Sequence, residues 1–273
     1  MTTTDHAAFD DTAVQEALDV ANLAADAAAR IHRAYAGGPL DVGTKSTDID
    51  IVTEVDRLAE DAIRQVVARH YPDHAVLGEE EGQDVDARCR WIVDPLDGTV
   101  NYAHGFPFYC VSVALEVDGE VVAGVVLDTA NGERFTAARG RGAFVDGRRL
   151  RVSTTTDPRQ ALLATGFAYG GETVAINAGV FARMLPQTRA IRRAGAAALD
   201  ICYVAAGRAD GYWEFGVKAW DVAAGVLLLR EAGGTVTGPD GSPYRWEHEA
   251  MVASNGALHG KLLHLLDLGH PLA

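Results

Sequence analysis

The stretch that most constrains the fold is Trp91-Ile92-Val93-Asp94-Pro95-Leu96-Asp97-Gly98-Thr99. Its run of large apolar residues reads as a buried strand. The strand delivers Asp94 at its end, Pro95 stiffens the backbone after it, and Asp97 follows three residues later. Carboxylates at this spacing on a turn can face one point, as Mg²⁺ requires, because it takes oxygen ligands in octahedral array. Gly98 permits close backbone approach, and Gly98-Thr99-Val100 can open a short helix whose free N–H groups suit phosphate oxygens. Asp-Pro and Asp-Gly are also ordinary turn chemistry, so taken alone the stretch reads equally as a plain turn.

Two further acidic sites change that balance. Gly78-Glu79-Glu80-Glu81 follows a short strand at 75–77, and Trp220-Asp221 immediately precedes an apolar helix at 222–232. Singly these read as a solvated acidic loop and a simple N-cap. Three carboxylate sites at strand ends or helix starts, in a phosphate-friendly context, point together to a metal-assisted phosphate site.

The rest of the chain frames this cluster as an α/β unit. Apolar residues Val14, Leu18, Ala21, Ala25 and Ala28 recur at helical spacing, and Gly37-Gly38-Pro39 ends that helix. A second helix spans 56–70 and stops at Tyr71-Pro72. Strands are expected at 90–93, 109–117 and 120–127, the last two joined at Asp118-Gly119, and shorter ones at 133–138 and 143–145. A polar Thr-, Asp- and Pro-containing seam at 153–159 divides an N-terminal part (1–152) from a C-terminal part (153–273). Beyond it strands at 161–165 and 189–192 alternate with helices at 173–184, 196–206 and 222–232.

Charge and composition exclude some partners. With 24 basic and 38 acidic side chains the formal charge is −14, which repels nucleic-acid phosphates. An anionic substrate then needs a local source of positive charge, such as metal ions. Residues 1–6 lack the basic and apolar regions of a leader, and no apolar run is long enough to span a bilayer, so the expectation is a cytoplasmic protein without membrane contact. Cys89, Cys110 and Cys202 are few and scattered, as in a reduced chain. Gly38-x₄-Gly43 before Thr44-Lys45-Ser46 misses the register of a P-loop and follows a helix rather than a strand. No Gly-x-Ser-x-Gly, His-Glu-x-x-His or Cys-x-x-Cys occurs. His104 lies nearest the central motif, where a surface or structural role is expected.

The ordered set Gly78-Glu79-Glu80, Trp91 to Tyr102, and Trp220-Asp221-Val222-Ala223-Ala224-Gly225 resembles the inositol monophosphatase family, within the wider lithium-sensitive phosphatase group. Weaker similarity runs from Lys45-Ser46 through Asp56 to Glu231-Ala232-Gly233-Gly234. The resemblance implies a layered αβαβα sandwich with the metal site between two subdomains. It also implies a homodimer, and hydrolysis of a small phosphate monoester by water activated on two or three Mg²⁺ ions. By the same resemblance Glu79 and Asp94, with the backbone carbonyl of Leu96, hold one ion. Asp94, Asp97 and Asp221 hold a second, where Li⁺ competes, and a third lies through water near Glu79. Thr99 orients the nucleophilic water beside Glu79, and Asp56 accepts from Thr99. The N–H groups of Gly98 and Thr99 cradle phosphate, while Glu214, Asp97, Asp221 and the backbone of Ala197 meet the polyol. Lys45 sits where the family has a loop lysine, and Ala196 replaces the usual Ser or Thr.

The expected substrate is inositol monophosphate. Histidinol phosphate, phosphoadenosine phosphate and sugar bisphosphates are the alternatives within the group, and a non-catalytic metal-binding regulator is the alternative outside it.

Overall fold

The computed structural model describes residues 10–45, 51–82, 87–170, 172–248 and 250–266. Residues 1–6 and Ser46, which figure in the sequence patterns above, lie outside the described residues.

The chain opens with α1 (Asp11–Tyr35), whose first N–H groups are capped by the Asp10 carboxylate. A two-stranded ribbon, β1 (Val42–Thr44) with β2 (Ile51–Thr53), leads into α2 (Glu54–His70). Next come β3 (Ala75–Gly78), β4 (Cys89–Asp97) and the short α3 (Thr99–Ala103). A meander follows: β5 (Cys110–Val117), β6 (Glu120–Asp128), β7 (Arg134–Ala138), β8 (Gly142–Val145) and β9 (Arg148–Arg149). The second part carries β10 (Leu162–Thr165), α4 (Glu172–Met184), β11 (Ala190–Arg192), α5 (Ala197–Ala205) and β12 (Gly211–Phe215). It ends with α6 (Ala219–Glu231), β13 (Thr235–Thr237), β14 (Ala250–Ser254) and α7 (His259–Leu266).

Strands β3 to β9 lie in sequence order in a seven-stranded sheet, antiparallel except for the parallel pair β3–β4. The second sheet has five strands in the order β11-β10-β12-β14-β13, parallel across the first three and antiparallel beyond. Side chains alternate across each strand, and both faces of each sheet are apolar because helices cover both. Trp91, Val93, Val111, Val113 and Leu115 face α1 and α2, whose alanines allow close approach. Ile92, Cys110 and Ala114 face a central helical layer of α5 and α6. From the other side Ala164, Tyr212, Met251 and Ala253 meet that same layer. Leu163, Trp213, Phe215 and Val252 turn outward to a core shared with Val180, Met184 and Leu262 of α4 and α7. The layers are therefore α1/α2, seven-stranded sheet, α5/α6, five-stranded sheet and α4/α7, the expected αβαβα sandwich. Among the described residues no helix is long and apolar enough to cross a membrane.

Several boundaries differ from those expected, for local reasons. Helix α2 begins at Glu54 because Thr53 caps it and Asp56 reaches back to the Thr53 N–H. Helix α6 begins at Ala219, before Asp221. Strand β4 continues past Val93 to Asp97. The β1–β2 ribbon, β13, β14 and α7 carried no clear sequence signal, being short or lacking strong periodicity.

Candidate active site

The carboxylates converge through a defect in β4. Asp94 pairs with Ser112 and Asp97 with Cys110, so three steps on β4 face two on β5. Residues three apart on a regular strand point to opposite faces; the extra residue of this bulge restores parity. Asp94 and Asp97 thus both turn toward the α5/α6 layer. The expected turn is in fact a bulged strand, and it achieves the same convergence.

Neighbouring elements bring in the rest. Parallel pairing sets Gly78 opposite Val93, so Glu79 emerges beside Asp94, within hydrogen-bonding reach of it. The acidic turn is held by Glu60, a buried residue that sequence reasoning missed. It accepts from the N–H groups of Glu80 (2.8 Å) and Glu81 (3.2 Å) and from Arg64. Its carboxylate fills the space where a side chain on Gly78 would begin.

Asp221 enters on the first turn of α6. It is not the N-cap: Lys218 holds that position, and the Asp221 carboxylate reaches back to accept from the Lys218 N–H at 2.7 Å. Asp56 occupies the equivalent place in α2 and also accepts the Thr99 hydroxyl at 2.8 Å. Gly98, at φ +96°, begins α3; a Cβ there would stand 3.0 Å from the Phe108 carbonyl.

One cavity of about 620 Å³ is lined by Lys45, Glu79, Asp94, Leu96, Asp97, Gly98, Thr99, Ala197, Glu214 and Asp221. All are residues expected from the sequence. Asp56 stands behind Thr99 rather than on the wall. Asp97 also caps the N-terminus of α5, accepting from Ala198 N–H at 2.7 Å and Ala197 N–H at 3.2 Å. Ala196, the N-cap residue of that helix, has no hydroxyl to offer, and Asp97 does the capping from β4. Glu214, on β12, accepts the Tyr212 hydroxyl and lies flat against Gly166, where any side chain would collide with it. Sequence reasoning also missed Asp200, Arg193 and Lys218 on the cavity wall. Asp200 could have been noticed as the lone charge in an otherwise apolar helix.

Electrostatics mark the site. Burial pushes the Asp94 and Asp221 carboxyls well above the usual carboxylate range, and repulsion from neighbouring acids adds to it. Burial likewise raises Asp97 and Glu214 to about 7; backbone N–H groups oppose the shift at Asp97, and the Tyr212 hydroxyl opposes it at Glu214. Burial disfavours the Lys45 ammonium, but ion pairs to Glu79 (2.8 Å) and Glu80 (2.5 Å) outweigh that and hold it above its ordinary value.

Four crowded, desolvated carboxylates and the Leu96 carbonyl make an all-oxygen donor set, the chemistry that Mg²⁺ takes. Among the described residues no three His, Cys, Asp or Glu side chains already close around a common point. The donors line a wall rather than a finished cage, which suits an ion that keeps several waters. The residues therefore fit a hydrated divalent cation, with Lys45 supplying positive charge at one edge.

The chain is similar to known proteins. An inositol-1-monophosphatase from Synechocystis sp. is 40% identical over 265 residues, covering 96% of this chain and 92% of that protein. A protein named Nus factor SuhB from Pseudomonas aeruginosa is 48% identical over 213 residues, covering 76% of this chain and 79% of its own. Among solved structures, the inositol monophosphatase of Anabaena (Nostoc) sp. superposes with a TM-score of 0.85 at 39% identity, over 95% of this chain and 98% of that one. The family profile for inositol monophosphatases matches residues 13–268. With the bulged Asp94–Asp97 strand, Glu79 beside it and Asp221 across the cavity, these matches show that the chain belongs to the inositol monophosphatase family.

Proposed function

We propose that the protein is a Mg²⁺-dependent phosphomonoesterase whose substrate is inositol monophosphate, releasing inositol and inorganic phosphate. The observation that carries this reading is that Glu79, Asp94, Asp97 and Asp221 share one cavity with Thr99, which Asp56 backs, and with Glu214. Glu79, Asp94 and Asp97, the Leu96 carbonyl and Asp221 would hold the metal ions. Bound there, Mg²⁺ would offset the −14 charge toward a phosphate dianion and lower the pKa of coordinated water.

The chain's own residues do the rest. The Thr99 hydroxyl has Asp56 Oδ1 at 2.8 Å and the Leu96 carbonyl at 3.1 Å as acceptors for its single proton. Its lone pairs are then free to accept from the attacking water, beside Glu79. N–H groups of Gly98 and Thr99 cradle the phosphate. Glu214, Asp97, Asp221 and the Ala197 backbone hold the polyol. Water attacks phosphorus directly, so no group on the protein is phosphorylated.

Two or three ions per site, lithium inhibition and a homodimer belong to this reading and rest on the family resemblance; a cytoplasmic location belongs to it as well. The division into two subdomains is part of it too, parting at the polar seam that follows residue 152, where the chain passes from one sheet to the other.

The test is turnover with Mg²⁺ on inositol 1-phosphate, histidinol phosphate and phosphoadenosine phosphate. The highest kcat/KM is expected on the first. Preference for either of the others overturns the substrate, and unchanged turnover by Asp94→Asn at saturating Mg²⁺ overturns the catalytic assignment.

A further inference from the structure

Asp200 sits in the first turn of α5, only 3% exposed, on the wall of the cavity beyond Ala197. Its Oδ2 is buried and has no hydrogen-bond partner among the described residues. A carboxylate in the first turn of a helix ordinarily serves the helix, through the dipole or the free N–H groups. Here that work is done by Asp97, whose two oxygens take the N–H groups of Ala197 and Ala198. Folding therefore leaves the Asp200 carboxyl unexplained. Buried polar atoms are almost always hydrogen-bonded, and the exceptions gather where a ligand supplies the partner.

Of the groups acting on Asp200, Glu214 is felt most strongly, then Asp97 and, with opposite sign, Arg193. Glu214 already accepts one hydrogen bond, from Tyr212, and rests against the bare backbone of Gly166. Both acids line the cavity with acceptor capacity unfilled. Arg193 brings positive charge to the same wall, yet Asp200 Oδ2 still lacks a donor.

We propose that Asp200 is a specificity-determining residue: with Glu214 it forms a two-carboxyl wall that reads adjacent hydroxyl groups on the substrate. This rests on the phosphomonoesterase reading above and narrows its substrate class. The preferred phosphate ester carries at least two neighbouring hydroxyls; a flat aromatic ester without them leaves Asp200 unsatisfied. A site built to hydrogen-bond a hydroxyl discriminates against ligands without one, because its own buried groups are then unpaired.

The experiment compares wild type with Asp200→Asn, which keeps the shape and loses one acceptor, on inositol 1-phosphate, p-nitrophenyl phosphate and histidinol phosphate with Mg²⁺. The ratio of kcat/KM for inositol 1-phosphate over p-nitrophenyl phosphate is expected to fall about tenfold in the variant, with the loss in KM. Asp200→Ser, smaller and still polar, should move the ratio the same way if Asp200→Asn folds poorly, and thermal melts check both. An unchanged ratio overturns the proposal and leaves Asp200 a structural residue. A selective loss on histidinol phosphate overturns it in favour of an ammonium reader. Wild type that hydrolyses p-nitrophenyl phosphate but not inositol 1-phosphate defeats the substrate reading and this proposal together. Wild type inert on all three defeats the enzymatic reading itself, a failure visible before any variant is made.

Discussion

The stability of this protein should fall in mild acid because of one residue on α1. His32 is 1% exposed and packs against the Asp94–Asp97 segment of β4. Its Nε2 is 2.9 Å from the Pro95 carbonyl and its Nδ1 2.9 Å from the Thr129 hydroxyl. A carbonyl only accepts, so Nε2 carries the proton, and Nδ1 accepts from Thr129 in the neutral ring. Charging the ring would put a second proton on an imidazole that the fold shields from solvent. Burial accordingly lowers the pKa from 6.5 to about 4. The folded state then binds fewer protons than the unfolded chain between those values. The contribution of His32 is complete above the unfolded pKa and drains away as pH falls toward 4. Each pH unit crossed between the two pKa values removes about 1.4 kcal/mol, so the loss at pH 4.5 is about 2.5 kcal/mol. Other groups titrate in the same window, so the comparison is with His32→Gln, which offers an amide to Pro95 and cannot ionise. Urea unfolding of both proteins at pH 7.5, 5.5 and 4.5 gives the stability gap at each pH. Wild type should lose its advantage by roughly 2.5 kcal/mol across the series. A gap constant to within about 0.5 kcal/mol would mean that His32 is free to protonate in place, and the reasoning would be wrong.

Three further outcomes are expected. Gly78→Ala drives a methyl group into the Glu60 carboxylate that anchors the acidic turn, so it should cost about 1–3 kcal/mol in a thermal or urea melt and reduce turnover by moving Glu79. Asp56→Asn cannot keep all three of its acceptor bonds, to the Thr53 N–H, the Thr53 hydroxyl and the Thr99 hydroxyl; kcat should drop about 10–100-fold. Adding Mg²⁺ should raise the melting temperature with the logarithm of its concentration, by about 2.7 kcal/mol of stability at a hundredfold excess over Kd. Chelation should reverse the effect, and Asp94→Asn should abolish it; an equal shift in that variant would place the ion elsewhere.

The parts of the fold legible in the sequence are those written in local patterns. The hairpin at Asp118-Gly119, the period of α1 and the end of α2 at Tyr71-Pro72 all depend on residues close together in the chain. The site was legible for the same reason, since Asp94, Asp97 and Gly98 lie within five residues. What was not legible is the device that makes the spacing work. Three residues apart is the wrong parity for a strand, and the bulge that corrects it exists only in the pairing with β5. Asp221 read as an N-cap because Lys218, the actual N-cap, is a poor capping type. The order β11-β10-β12-β14-β13 follows from packing on the shared helical layer, which no short stretch encodes. His32 continues the apolar spacing of Ala21, Ala25 and Ala28, and a polar residue on such a face is a signal that can be read in advance.

The position of α6 has a consequence for how the molecule breathes. It lies against the seven-stranded sheet on one side and the five-stranded sheet on the other, so closely that a Cβ on Gly124 would come within 3.2 Å of the Ala224 Cα. One on Gly225 would meet Ile201 of α5 at 3.1 Å. Asp221 rides at the head of this wedged helix, while Asp94 and Asp97 ride on the sheet it presses against. Any parting of the layers therefore pulls the acidic groups away from one another. Amide protons in the middle of α6 should exchange with solvent only when the whole molecule opens, and a bound cation should slow that exchange as strongly as it slows unfolding itself.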